Sequence, residues 1–291
     1  MRQSIRKIVG KLRREKPSSP PASPGKTRRR RARSKGGADV TGQTVFHDRP
    51  LHFRSLTVTE VDIPTLQTQT AIEGGAFKIR VAKRSGARRE ASTLVRDKYA
   101  TRGYAAPASP DKPRVFTFIA YDEGRIVGTV SVGMESEQGL FADGLYRAEI
   151  DQMRERGSRV CEFTRLAVDR NVASKRVLAG LFHTAYLFAS KIRGYTHAVI
   201  EVNPRHVLFY GKELKFDVIG TERLDPRVNA PAVLLCVSFD AIAEGVARHA
   251  GKHAAAGAKR MLFHYGFPPE EERGVLHRLT ELISEDRRLQ P

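Results

Sequence analysis

The alternation of apolar and polar positions is clearest from residue 77 onward. Phe77, Ile79 and Val81 are apolar with polar residues between them, the period-two pattern of a half-buried strand. Ala91, Leu94, Val95 and Tyr99 recur at helical spacing, which predicts a helix over 87–100 that ends at Gly103 and the Pro-rich stretch 107–113. Strands are predicted over 115–121 and 126–132, joined through Asp122-Glu123-Gly124 by hairpin turn chemistry. Residues 135–158 read as a charged, partly helical insertion. The segment 160–168 is an apolar strand with Glu162 and Arg165 set into it. A polar loop over 169–173, an amphipathic segment over 174–193 and a second apolar strand over 197–202 complete a βαβ crossover. A short helical run carrying Phe209-Tyr210 closes at Lys215-Phe216. Strands are then predicted over 217–224 and over 231–239, the latter apolar throughout and so buried on both faces. This order predicts mixed α/β structure on one central sheet flanked by helices.

The ends of the chain differ in character. Residues 1–40 hold fourteen Lys/Arg against Glu15 and Asp39, so they carry +12 of the net +19. Ile5, Ile8, Val9 and Leu12 form a thin apolar stripe within 4–16, the pattern either of a short interfacial helix on an anionic membrane or of a frayed basic tail. Residues 17–37, with the run Arg28-Arg29-Arg30-Arg31, bury too little apolar surface to repay ordering, which predicts a disordered basic tail over 1–40. Residues 41–76 show little pattern and read as an irregular arm. The mixed α/β pattern marks out a domain over 77–240, and 241–291 is a helical C-terminal extension. Within it, 241–258 is Ala-rich and helical. Pro268-Pro269 with Glu270, Glu271 and Glu272 opens a last helix, whose apolar face is Val275, Leu276, Leu279, Leu282 and Ile283. Cys161 and Cys236 both lie in strand-like runs and read as buried thiols in a reducing, cytoplasmic compartment, with membrane-peripheral contact through 1–40. No apolar run reaches the ~18 residues of a membrane span. His249 and His253 are four apart, but no third ligand follows, so no metal site is expected.

Three pieces carry a family resemblance. Glu162-Phe163-Thr164-Arg165 resembles the Glu-x-x-Arg strand of acyl-homoserine lactone synthases and FeeM-like N-acyl amino acid synthases. Asn203-Pro204-Arg205-His206 with Phe209-Tyr210 resembles the segment in which acetyltransferases place an Asn and a Tyr. Ala230-Pro231-Ala232-Val233-Leu234-Leu235 resembles the closing strand of the FeeM-like group. The resemblance covers about 77–240 and implies a GNAT-like acyltransferase fold. It implies Glu162, Arg165 and Tyr210 as catalytic residues, with Phe163, Thr164, Asn203, Arg205 and His206 binding substrate. Two departures qualify it. The loop Asp169-Arg170-Asn171-Val172-Ala173-Ser174 lacks the glycines with which acetyltransferases grip a coenzyme A pyrophosphate. An acyl-phosphopantetheine on a carrier protein is therefore favoured over acyl-CoA as donor, with no tightly bound cofactor. Gly128-Thr129-Val130-Ser131 lacks the arginine usual in lactone synthases, which argues against S-adenosylmethionine recognition.

Acylating an amine from a thioester requires removing an ammonium proton, stabilising an oxyanion and releasing a thiolate. Glu162 is a carboxylate in an apolar strand, where burial raises the pKa towards that of a useful base; alternatively it forms a structural ion pair with Arg165. Residues three apart point to opposite faces of a regular strand, so the two share a cleft only if the strand is bulged. Arg165 is also suited to gripping an acceptor carboxylate. Tyr210 is either the proton donor to the thiolate or a packing tyrosine, and Asn203 either binds substrate or caps a helix. Arg205 and His206 read as surface or carrier-facing. Phe118, Val130, Phe163 and Leu166 either line an acyl channel or fill the core. The leading expectation is transfer of a long-chain fatty acyl group from acyl carrier protein to the amino group of an amino acid or similar small amine. The basic surplus suits an acidic carrier. The alternatives are a coenzyme A-dependent acetyltransferase and a basic membrane- or nucleic-acid-binding scaffold with an inactive core. No aromatic-interleaved basic motif supports specific nucleic-acid binding.

Overall fold

The computed structural model describes residues 44–48, 77–82, 85–100, 115–169, 175–252 and 261–288. Its strands are β1 (Thr44–Asp48), β2 (Phe77–Val81), β3 (Val115–Asp122), β4 (Arg125–Gly133), β5 (Val160–Val168), β6 (His197–Val202), β7 (Asp217–Val218), β8 (Arg223–Asp225) and β9 (Ala230–Ser238). The α-helices are α1 (Ser85–Ala100), α2 (Asp143–Glu155), α3 (Lys175–Tyr186), α4 (Val207–Leu214), α5 (Phe239–His249) and α6 (Pro269–Arg288). The sheet runs β1-β2-β3-β4-β5-β6-β9-β7, with β8 on β9. Among the described residues, only β5 and β6 pair in parallel; the other neighbours are antiparallel. Helices on both faces give the mixed α/β, GNAT-like architecture that the pattern and the resemblance predict. No helix among the described residues is long and apolar enough to cross a membrane.

The strands predicted from alternation stand close to where expected. Asp122 pairs with Arg125, and Glu123 and Gly124 have φ of 46° and 82°, so the β3–β4 turn places both central residues in the left-handed region as a type I′ hairpin demands. On α1, Ala91 and Val95 are buried and Leu94 is half-buried; the side chain of Tyr99 lies outside the described residues. Cys161 and Cys236 are buried free thiols.

Four expectations need correction. The arm over 41–76 contains a strand, β1, which buries Val45 and Phe46 and pairs with β2; the rest of that arm and the tail over 1–40 lie outside the described residues. The strand expected over 217–224 is two short pieces, β7 and β8, because the chain turns at Gly220, where an added Cβ would lie 2.7 Å from the Tyr146 ring. The helix predicted over 241–258 begins at Phe239, capped by the Ser238 hydroxyl accepting from Ala241 N–H, and ends at His249; residues 253–260 lie outside the described ones.

The last correction concerns α3. Its sequence is amphipathic, yet every residue from Arg176 to Tyr186 is buried. The C-terminal extension covers the outer face. Phe239, Ile242, Leu262, Phe263, Phe267, Val275, Leu279, Leu282 and Ile283 join the same core as α3 and the sheet. The polar residues of that face meet acids from the first turn of α6. Arg176 pairs with Glu271 at 3.4 Å. His183 Nε2 lies 3.1 Å from Glu272, and its Nδ1 accepts from Phe267 N–H at 3.0 Å. The hydrogen bond from His183 holds the Glu272 carboxyl below its ordinary pKa. Close packing on the other side of α3 explains Gly128 on β4, where a Cβ would stand 2.9 Å from Leu181.

Candidate active site

The geometry turns on where β5 and β6 part. They pair at Val160↔His197, Cys161↔Ala198 and Glu162↔Val199. Beyond that point β5 continues along β4 and β6 continues along β9. The two strands open into a V whose inner edges are not paired with one another. Glu162 sits at its base.

β5 is bulged just beyond. Thr129 pairs with Ala167 and Ser131 with Thr164, so Arg165 and Leu166 together oppose Val130. Arg165 has φ of 54°, an unusual conformation for a residue with a side chain and the local cause of the bend. The expected bulge between Glu162 and Arg165 is displaced: the register is regular from Glu162 to Thr164, and the extra residue falls in the pair Arg165–Leu166. The expected alternative of a Glu162–Arg165 ion pair differs from what Glu162 does: its Oε2 accepts from Phe141 N–H at 2.8 Å and from Ala142 N–H at 3.3 Å. These amides belong to the entry of α2, for which Ala142 supplies no side-chain cap. The insertion over 135–158 therefore covers the Glu162 carboxylate. It is stapled there by Arg154, which pairs with Asp143 at 2.7 Å, Glu135 at 3.0 Å and Asp151 at 2.5 Å, while Asp143 accepts from Leu140 N–H at 2.6 Å.

Glu162 is 1% exposed. Its pKa is raised to about 8, first by burial and then by the Glu201 carboxylate, against the opposing pull of the amides and Arg227. Glu201 lies two residues beyond Val199 on β6, hence on the same sheet face as Glu162. Burial raises its pKa also, while Arg227 pulls it down. Arg227, in the turn between β8 and β9, bonds Asp225, Glu201 and the Phe141 carbonyl. Beneath them Tyr146 is fully buried and donates to the Ala232 carbonyl at 2.6 Å; burial and Glu201 push its pKa to about 12.

The remaining expected site residues fall in different places. Phe163, one position along from Glu162, points to the opposite face and packs with Phe182 at 6.2 Å; Phe182 lies 6.2 Å from Tyr210. Tyr210 is buried and also meets the rings of Phe209 and Phe216. Thr164 is half-buried. Asn203 caps the turn Pro204–His206, accepting from Arg205 N–H, and donates to the Pro231 carbonyl, so it ties β6 to β9. Arg205 is exposed as expected. His206 is not at the surface: it is only 8% exposed, because the turn folds its ring inward before α4 begins. Phe118, Val130 and Phe163 are core residues, and none of them lines the small apolar pocket that Phe182, Leu214, Phe216, Ile242 and Phe263 border with α3. The loop over 170–174 lies outside the described residues, as does His253.

Glu201 and Arg227 were not among the expected site residues. Glu201 had a visible signal, a carboxylate inside the apolar run His197-Ala-Val-Ile-Glu-Val202. Arg227 had none, because its role comes from a turn folding back over β6 and the start of α2.

A buried carboxylate of raised pKa thus stands at the base of two diverging parallel strands. Residues 90–238 match the family described as N-acyl amino acid synthase FeeM. The chain belongs to this family. The structure of FeeM, an N-acyl amino acid synthase from uncultured soil microbes, aligns at TM-score 0.52 and 29% identity over 56% of this chain and 90% of that one. The acyl-homoserine lactone synthase LasI matches at TM-score 0.42 and 11% identity, over 56% of this chain and 89% of its own. A putative N-acetyltransferase from Lactobacillus plantarum matches at TM-score 0.42 and 18% identity, over 56% of this chain and 98% of its own. No curated protein matches the chain. As a member of the FeeM-like family, the chain is an acyltransferase with a GNAT-like fold. The family match stops at the end of β9, so the extension that covers α3 lies beyond it.

Proposed function

We propose that the FeeM-like chain transfers a long fatty acyl group from acyl carrier protein to the amino group of an amino acid or similar small amine, with Glu162 as general base. The observation that carries this reading is the placement of Glu162: buried, at the point where β5 and β6 part, with a pKa raised to about 8. Such a group is ionised in part near neutrality and basic enough to take a proton from an ammonium. Because Glu162 is 1% exposed, the proton passes through an intervening water. The neutral amine then attacks the thioester carbonyl carbon, the C–N bond forms, and the C–S bond breaks. The departing thiolate takes up a proton, for which we assign Tyr210, and the second proton that the nitrogen loses on becoming an amide restores the phenol. We assign the unpaired edges of the V to the pantetheine arm, whose amides can add to them as an extended strand does. Arg165 we assign to the acceptor carboxylate.

A competing role for Glu162 has its own observation: it accepts two amides at the start of α2, as a structural anion would. The kinetics of Glu162→Gln separate the two roles and are taken up in the Discussion.

The glycine-free loop Asp169–Ser174 supports a carrier-linked donor. With matched acyl groups, kcat/KM for the carrier-linked thioester should exceed that for the coenzyme A thioester by at least about tenfold, or ~1.4 kcal/mol. Equal values would overturn the carrier assignment. The basic stretch over 1–40 is assigned to an anionic surface, carrier or membrane. Deleting it should leave kcat with a soluble acceptor within about twofold, while liposome sedimentation of the full chain should weaken steeply with salt.

A further inference from the structure

We propose that Arg227 is the positioning residue of this site: anchored by Asp225 and Glu201, it clamps the peptide unit that holds Glu162. The proposal rests on reading Glu162 as the base.

The geometry is continuous from the turn to the carboxylate. Arg227 Nε donates to Asp225 Oδ1 at 2.8 Å and Nη2 to Asp225 Oδ2 at 2.9 Å, a bidentate fork that fixes the guanidinium plane. The Arg227 backbone N–H adds a bond to the same Oδ1 at 2.9 Å. With the plane fixed, Nη2 also reaches Glu201 Oε2, and Nη1 donates to the Phe141 carbonyl at 3.0 Å. The N–H of that same Phe141 donates to Glu162 at 2.8 Å. Arg227 and Glu162 thus hold Phe141 through its two backbone polar groups. Losing that bond loosens the start of α2, which Arg154 still staples, and weakens the hold of both amides on the carboxylate.

Charge works through the same groups. Glu162 is faced by the Phe141 and Ala142 amides from the start of α2, by Glu201 from β6 and by Arg227 from the β8–β9 turn; Gly133 on β4 presents only backbone, and a Cβ there would stand 3.9 Å from Glu162 Oε2. On the same strand, Cys161 is a buried thiol held neutral by burial. Glu201 is in turn faced by Arg227, Asp225 and the Tyr146 hydroxyl, with Arg223 and Glu149 paired beside Tyr146. Asp225 and Glu201 share one guanidinium, whose charge also acts on Glu162. Among the described residues, Glu201 Oε1 is buried and accepts no hydrogen bond. Burial and mutual repulsion disfavour ionising Glu162 and Glu201 together, so each holds its proton more tightly than an isolated carboxyl does. Removing the guanidinium should bind the Glu162 proton more tightly, and removing the Glu201 charge should bind it less tightly. A merely structural bridge predicts no such opposite signs.

The experiment is a carboxyl titration of the full chain labelled with 13C-glutamate, the Glu162 resonance being the one lost in Glu162→Gln. This readout does not depend on turnover. In Arg227→Gln the midpoint should rise by about one pH unit or more, and in Glu201→Gln it should fall by a similar amount, each unit being ~1.4 kcal/mol. Arg227→Lys, which keeps the charge and loses the fork, serves if Arg227→Gln does not fold; its midpoint should rise by less than in Arg227→Gln, because the amides loosen while the charge stays, and the acceptor-dependent kcat should fall. Midpoints that move together, or not at all, would overturn the proposal. A pH–rate profile on the same samples judges the base separately: opposite midpoint shifts with a rate that ignores them would retain the clamp and reject Glu162 as base.

Discussion

Glu162→Gln should lower kcat by about 10²–10⁴-fold, ~3–5 kcal/mol of transition-state stabilisation, while the protein stays folded. Gln keeps the side chain's shape and its carbonyl oxygen can still accept from the amides of Phe141 and Ala142. What it loses is the base. The stability signature has a definite sign. Glu162 has its pKa raised from 4.5 to about 8, so the folded state holds a proton that the unfolded state has released. Protons bound in the native state make stability fall as pH rises between those values, with the full cost present above pH 8. The Gln variant has no proton to lose. It should therefore gain melting temperature relative to the wild type as pH is raised from 5 to 9, even though it is slow. Wild-type kcat should climb towards pH 8, and in the variant this limb should vanish. A stable variant with near-native kcat would remove Glu162 from the chemistry and leave it as the anion at the start of α2.

Ending the chain at Ser238, the boundary of the family match, should abolish cooperative folding. The cut exposes the outer face of α3, where Phe182 and Tyr186 are now covered, and leaves Arg176 and His183 without Glu271 and Glu272. It also removes Phe267, which stacks on His183 at 4.7 Å and meets Phe46 of β1 at 4.2 Å. The nine apolar side chains that leave with the extension each contribute ~1.5–3 kcal/mol by burial, and the face they covered becomes a large exposed apolar patch. The truncated chain should bind hydrophobic dyes, lose its near-ultraviolet dichroism and aggregate. Phe267→Ala in the full chain is the graded version and should cost about 3–5 kcal/mol in denaturant unfolding. A truncated chain that melts cooperatively near the full-length temperature would show the extension to be an accessory.

Local signals carried most of the frame. β5 and β6 are legible because their apolar runs are bounded by turn residues, and the β3–β4 hairpin because Glu123-Gly124 suits two left-handed residues. β1 was not legible: five residues with adjacent buried Val45 and Phe46 give no alternation. The burial of α3 was hidden because its polar face is satisfied by residues about ninety positions away, Glu271 and Glu272. Those acids read as helix-start signals, and their second use depends on the tertiary fold.

The site divides the same way. Glu162 stood out as a carboxylate in an apolar strand; asking how it and Arg165 could share a cleft pointed to a bulge between them, and the bulge lies one step on, at Arg165–Leu166. Glu201 obeyed the same rule and was equally visible. Arg227 and the Phe141 and Ala142 amides were not, since a turn residue and two backbone groups carry no compositional signal. His206 read as surface because a lone polar residue after a strand usually is; here the turn that Asn203 caps carries its ring inward.

The most direct test loads one long acyl chain onto acyl carrier protein, incubates it with the protein and a mixture of amino acids, and identifies products by mass spectrometry. The account predicts an N-acyl amino acid formed in step with release of the carrier thiol, and its loss by at least about a hundredfold in Glu162→Gln. Free fatty acid as the sole product, or an N-acyl product formed as fast by Glu162→Gln as by the wild type, would contradict it.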